Sequence, residues 1–294
     1  INGISLADLH QTLIGSNLSE AEIDRATKGQ KADFPQGIPE CGTDALRFGL
    51  LAYTVPGRDI NLDIKRMEAY RNFCNKLWNA AKFTLMTLGE HFVPNPADRL
   101  TNGTESRMDR WILSIVYEVT RAVNQAFIEY NFSTITDLLY DFWLCKLCGM
   151  YLESIKPIMQ AEAEQPAAAE VARQTLYTAV EIGLRLLHPL MPFITEELWQ
   201  RLPRRPTDSR PSIMITAYPT VEQFVDHFTR DEPLEAEVDF VEKILHSIRS
   251  LRSEYNLAKT QVLLYLRFTP GSDLLDKVKP YLHAIKVILG FLFL

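Results

Sequence analysis

The stretch DIKRMEAYRNFCNKLWNAAKFTLMTL, residues 63–88, decides the fold. Advancing about 100° per residue from Lys65 brings Met67, Tyr70, Cys74, Leu77, Trp78, Ala81 and Leu85 together on one side. An apolar stripe at helical period is a core face, so this segment predicts a long helix that packs against others. The opposite side carries Lys65, Asn72, Lys76, Asn79 and Phe83 within about 40° of one line, flanked by Arg71, Asn75 and Lys82. The plain reading of such a face is a solvated one. Two details pull the other way. Three Asn interrupt a helix that Asn ordinarily weakens, because its amide competes for backbone hydrogen bonds. Phe83 also stands on the polar line rather than in the apolar stripe. Cations for phosphates, amides for base edges and a ring for stacking are together what a single-stranded RNA loop requires. Phe83 turning inward at the helix end is the simplest competing reading.

Outward from this helix the period stays helical. Shorter helices are predicted at 5–14, at 19–28 with Ser19 as N-cap, and at 43–53, with residues 29–42 forming a Pro- and Gly-rich loop. Long helices follow at 105–130, 133–158 and 167–188, then helices at 193–202 and 233–255. VPNPAD, TNGTES and EQPAAA separate the long ones, and HPLMP ends the helix at 188. Four long helices with short connections make an antiparallel bundle. Two stretches look like strands, SIMITAYP at 212–219 and QVLLYLRF at 261–268, before a last helix near 273–289. The fold class is therefore mainly α, with a small α/β extension at the C-terminal end.

The chain has 294 residues, 47% of them hydrophobic and 23% charged, which suffices for a real core and argues against disorder. Its formal net charge of −6 argues against indiscriminate nucleic-acid binding, DNA included, so RNA contact requires a local basic patch. Apolar runs are broken by charges before the ~18 residues that suggest a membrane span. The opening INGISLADLHQ has no signal-peptide pattern and starts mid-pattern without Met, and the closing VILGFLFL lacks a cap. Both ends read as boundaries within a longer chain.

The four cysteines, Cys41, Cys74, Cys145 and Cys148, are too few for a disulfide framework and fit a reducing compartment. Cys145 and Cys148 have zinc-site spacing, but no second CxxC or HxxxH accompanies them, so they read as helix core rather than metal ligands. The six histidines form no HExxH pair, and His188 reads as a helix-end or core residue. GxxxxGK[ST] and GxGxxG are absent from the sequence. Two basic knots, Arg201 with Arg204 and Arg205, and Arg249 with Arg252 and Lys259, read mostly as solubilising surface, with secondary RNA contact as the alternative.

Two stretches go beyond pattern. GTDALRFGLLAYTVPGRDINLDIKRMEAYRNFCNKLWNAAKF at 42–83 and LRLLHPLMPFITEELWQRLP at 184–203 resemble class I aminoacyl-tRNA synthetases, and within that class the valyl-tRNA synthetases. GRDINLD followed by RNFCNKLWNAAKF is the more specific part and distinguishes the chain from isoleucyl and leucyl enzymes. Residues 14–41, which include SNLSEAEIDRATKGQKADFPQGIPEC, resemble an insertion of the eukaryotic cytosolic type. The resemblance implies that residues 1–56 are the tail of a catalytic domain and a connector to the tRNA stem, 57–225 an anticodon-binding helical bundle, and 226–294 a C-terminal extension. It also implies that Lys65 and Phe83 contact the anticodon arm. Lys65 stands where family members carry Arg, which weakens bidentate contact there. The expected partner is tRNA(Val), with protein partners in a larger synthetase complex, in the cytoplasm, and without membrane or DNA. HIGH-type and KMSKS-type signatures are not in the sequence. The implied parent would use ATP and Mg to ligate valine to tRNA and would edit mischarged threonine, whereas this stretch alone would hold no cofactor and be inactive. The rival readings are a synthetase-derived protein scaffold that has lost RNA binding, and a piece of an isoleucyl or leucyl enzyme.

Overall fold

A computed structural model describes residues 1–54, 63–97, 100–101, 103–206, 208–257, 267, 274–282 and 285. The GRDINLD motif at 57–63, apart from Asp63, Lys259 and all of the 261–268 stretch except Arg267 lie outside the described residues. Three short helices open the chain: α1 (Leu6–Ile14), α2 (Glu20–Asp33) and α3 (Thr43–Ala52). The long helices are α4 (Ile64–Leu88), α5 (Arg107–Ile128) and α8 (Pro166–Leu187). Between α5 and α8 runs one continuous helical path made of α6 (Phe132–Asp141), a π-helical segment (Phe142–Tyr151) and α7 (Leu152–Gln160). Then come α9 (Pro192–Arg201), α10 (Glu232–Glu254) and the short α11 (Leu274–Val278).

Local chemistry sets most of these ends. Asp63 caps α4 by accepting from the Lys65 amide at 2.9 Å, and Gly89, at φ 78, lets the chain leave the helix in a left-handed turn. Ser106 and Asp109 form a reciprocal capping box at the start of α5. Pro166 and Pro192 stand in the first turns of α8 and α9, where a missing amide costs nothing. The second helix runs further than its sequence suggests, to Asp33 rather than 28. Gly29 weakens a helix without stopping it, and the stop is set by Pro35 after Phe34.

SIMITAYP is not a strand. It contains a single 3-10 turn, Ile213–Ile215, and then lies extended along α8. Side chains take the place of a ladder partner: Arg185 donates to Ala217 O at 2.6 Å, Asn124 to Pro219 O at 2.9 Å, and the Tyr218 hydroxyl to Leu186 O at 2.9 Å. Among the described residues, β pairing is limited to an isolated antiparallel bridge between Ile4 and Ile38.

The core is continuous from α3 to α10, with Trp111, Trp143, Trp199, Tyr151, Phe48, Phe73 and Phe142 fully buried. Polar ties cross it. The Tyr151 hydroxyl donates to the buried Asp109 carboxylate at 2.6 Å, joining the π segment to α5. Lys146 pairs with Glu242 at 2.7 Å, joining it to α10. Asp44 on α3 accepts from the amides of Phe193 and Ile194, and Arg47 donates to the carbonyls of Pro189 and Leu190. The two stretches that carry the family resemblance are thus clasped to each other.

Gly183 allows the bundle to close. A β-carbon there would sit 2.7 Å from Phe142 and 3.0 Å from Trp143, both rings fully buried. Gly183→Ala is expected to destabilise the chain by about 1–3 kcal/mol through overpacking. Chemical denaturation measures this as a lower midpoint. An unchanged midpoint would mean that the α8–π seam is looser than its distances indicate.

Candidate nucleic-acid interface

The interface rests on α4, whose inner face is fixed by α3, α8 and α9. Its buried residues are Met67, Tyr70, Phe73, Leu77, Ala80, Ala81, Thr84 and Leu88. The core-facing arc is therefore centred about 45° away from the arc expected from the apolar stripe. Phe73, Ala80 and Thr84 are inside. Cys74 and Leu85 are half-buried, and Trp78 is 41% exposed. Small Ala80 and Thr84 carry little hydrophobic weight in a stripe, yet they allow the π segment and α8 to approach; the Thr84 hydroxyl is satisfied by Ala80 O at 2.9 Å.

This rotation sorts the polar residues. Lys65, Arg71, Asn72, Asn75, Lys76, Asn79 and Lys82 are all exposed. The side chains of Asn72, Asn75 and Asn79 make no hydrogen bond to any described residue. Arg71 is held by the carbonyl of Glu40, which ties the loop before α3 to the middle of α4. Phe83 stands at the shoulder of the arc. It is half-buried and packs against the core, with Lys156 of α7 6.0 Å from its ring centroid. Lys156 itself pairs with Glu153 at 2.6 Å. No acidic residue occurs on α4 after Glu68, so its exposed face is cationic and amide-rich for five turns, within a chain of net charge −6.

Two residues beside this face, Lys156 and Trp78, are not among the RNA contacts read from the sequence, and Arg201 is read there mostly as solubilising surface. Lys156 meets Phe83, and Arg201 of α9 stacks over the exposed ring of Trp78 at 5.1 Å. Neither pairing is visible in sequence, because both partners are far apart along the chain. Trp78 reads as core in the sequence because its angle puts it at the edge of the apolar stripe.

The other candidates fall into place by burial. Arg205 is not solubilising surface: it is 8% exposed, donates to Asn95 O and to Thr178 Oγ1, and lies 4.9 Å over the Tyr177 ring. Arg204 lies over Trp199, and Arg201 pairs with Glu197. Arg249 is exposed on α10, whereas Arg252 is half-buried and donates to Leu257 O at 3.3 Å. Cys145 is exposed rather than core, and Cys148 is half-buried; desolvation raises both thiols to about 11, with Lys76 opposing the shift at Cys148. His188 is a buried helix-end residue bonded to Thr195 at 2.7 Å, and burial lowers its pKa. Among the described residues no cluster of three or more His, Cys, Asp or Glu is arranged to hold a metal, and no helix is long and apolar enough to cross a membrane.

The chain is a helical bundle whose α4 carries an exposed cation-and-amide face, and comparison makes the class explicit. Residues 109–266 match the model of the anticodon-binding domain of tRNA ligase, and the chain belongs to that family. Its relatives of high similarity are valine–tRNA ligases. It is 49% identical to the human enzyme over 287 residues, which is 97% of this chain and 22% of that protein. It is 51% identical to the Takifugu rubripes enzyme over 92% of this chain and 22% of that protein. It is 45% identical to the Schizosaccharomyces pombe enzyme over 90% of this chain and 26% of that protein. The chain thus spans about a quarter or less of the length of these relatives. The family match begins after α4, whereas the human relative aligns over 97% of the chain.

Unpartnered Asn side chains in mid-helix lower stability and have no structural return. Asn72→Ala, Asn75→Ala and Asn79→Ala together are expected to raise stability, by about 0.5 kcal/mol per site. Urea unfolding tests this: the midpoint should rise with an unchanged m-value. A fall would show that these amides support the bundle itself.

Proposed function

We propose that the chain binds the anticodon arm of a valine tRNA, as part of an enzyme that ligates valine to that tRNA. The observation that carries the reading is the alignment with valine–tRNA ligases over almost the whole chain, α4 included. Lys65 and Lys76 hold phosphates, Asn72 and Asn79 read base edges, and Phe83 offers its exposed edge to an unpaired base, with Arg71, Asn75 and Lys82 alongside. Exposed Arg249 on α10 is a secondary backbone contact, together with Arg252 and Lys259. A long cationic side chain on a rigid helix suits phosphate, since release of condensed counterions supplies much of the affinity. An amide is both donor and acceptor and so can match a base edge in a way that a cation cannot.

The complete enzyme would take ATP and Mg for amino-acid activation at a site outside these residues, so this chain alone is inactive in valine activation. The cytosolic assignment rests on residues 14–41, whose sequence resembles an insertion of the eukaryotic cytosolic type. Protein partners within a larger synthetase assembly are part of the same reading.

Fluorescence anisotropy with a labelled valine anticodon stem-loop tests the proposal. Binding should weaken steeply with salt and should exceed that of an isoleucine stem-loop. Lys76→Ala should reduce the salt slope by about one. Phe83→Leu preserves the buried packing but not the ring, and should weaken binding about 5- to 150-fold, the equivalent of a lost base–aromatic stack. Equal binding of both stem-loops, or a Phe83→Leu variant that binds like the parent, overturns the assignment.

A further inference from the structure

Besides the line that ends in Phe83, α4 carries a second line. Arg71, Asn75, Trp78 and Lys82 are spaced four, three and four residues apart, which keeps them within about 60° of one another and spreads them over about 16 Å of helix. All four residues of this second line are exposed. Trp78 is 41% exposed, while Trp111, Trp143 and Trp199 are 0%, 0% and 1% exposed. Leaving an indole in water forgoes a large burial gain. The seam between α4 and α9 does not require this ring as a filler, since Leu198 and Trp199 of α9 are already buried among the core residues.

The guanidinium of Arg201 lies 5.1 Å from the Trp78 ring centroid and keeps half its side chain in solvent, anchored by Glu197. Arg204 continues the cationic edge along α9, stacked on Trp199 and bonded to Gln200 at 3.0 Å. A planar cation and an indole together present stacking surfaces flanked by Lys82 and Arg71, with Asn75 one turn away. That combination suits a flat, anionically tethered ligand: a nucleobase on its phosphate backbone. An apolar peptide would bring no negative charge to a surface edged by Arg71, Lys82 and Arg204.

We propose that Trp78 and Arg201 form a second stacking platform for an unpaired base of the RNA arm, distinct from Phe83. This rests on the RNA-binding reading above and adds to it a named base-binding position on the α4–α9 edge. Glu197 tunes the platform, because it competes with RNA phosphate for Arg201.

The three other tryptophans are buried, so Trp78 is a built-in reporter. Titrating the 294-residue chain with unlabelled valine anticodon stem-loop should quench the solvent-exposed tryptophan emission and shield it from acrylamide. The change should saturate at the RNA concentration found by anisotropy. Trp78→Phe should abolish the optical change and keep affinity within about 3-fold. Trp78→Ala should weaken binding about 5- to 150-fold, and Glu197→Gln should tighten it. A fully paired RNA duplex should leave the emission unchanged. Anisotropy-detected binding with Trp78 emission and acrylamide access unaltered overturns the platform while leaving the anticodon-arm reading intact. Absence of any binding by anisotropy overturns both. The shielding measurement is made on the unmodified protein, so it stands even where Trp78→Ala folds poorly.

Discussion

The bundle depends on one long-range clasp. Helix α9 has Met191 at its cap position, a side chain with no oxygen to offer the exposed amides of the first turn. Asp44 supplies the missing acceptor from α3, about 150 residues earlier, bonding Phe193 at 3.3 Å and Ile194 at 2.7 Å. A carboxylate at a helix N-terminus also meets the positive end of the helix dipole, and Asp44 is buried at 8% exposure, where that field is little screened. Arg47, one turn on, satisfies the carbonyls of Pro189 and Leu190 that the end of α8 leaves open. The same short helix thus completes both ends of the α8–α9 turn. Since α3 also packs along α4, with Gly49 letting Met67 and Tyr70 approach, the clasp fixes how α4 is rolled about its own axis.

That roll is what separates the legible part of the site from the rest. Periodicity located α4 to within a residue at its start and at its end, because Asp63 and Gly89 are strong local signals. It also put Lys65, Asn72, Lys76 and Asn79 outside, as they are. It misplaced Trp78 and left Phe73 unassigned, because small Ala80 and Thr84 add little to an apolar stripe. The packing obeys a different rule: small residues go where another backbone comes close, and the roll follows them. Arg205 was misread for a related reason. A cation between two prolines looks like surface until Tyr177, Thr178 and Asn95 arrive from elsewhere to satisfy it. Strand-like SIMITAYP failed because strand propensity describes an extended, half-buried segment, and here Arg185 of α8 donates to Ala217 while Tyr218 donates to the Leu186 carbonyl, in place of a ladder.

The exposed amides of α4 carry their own argument. Asn loses roughly half a kilocalorie per mole against Ala at a helix position, and a chain stable by about 5–15 kcal/mol feels three such losses. Those side chains recover nothing from the described protein. Lys and Gln would solubilise the same surface at better helix propensity, so solvation alone does not account for the choice of Asn. A short amide held close to a rigid backbone has few rotamers to lose on binding, which suits recognition of a base edge more than it suits a solvent-facing helix.

A net charge of −6 does not oppose RNA binding at such a face. Charges further away than about 8 Å are largely screened at physiological ionic strength, so an approaching phosphate responds to its local neighbours. After Glu68 the charged residues on α4 are cations alone, while Glu237, Asp239 and Glu242 of α10 are paired with Arg107 and Lys146. The same clasp that sets the roll of α4 therefore sets the direction in which its cations and amides face.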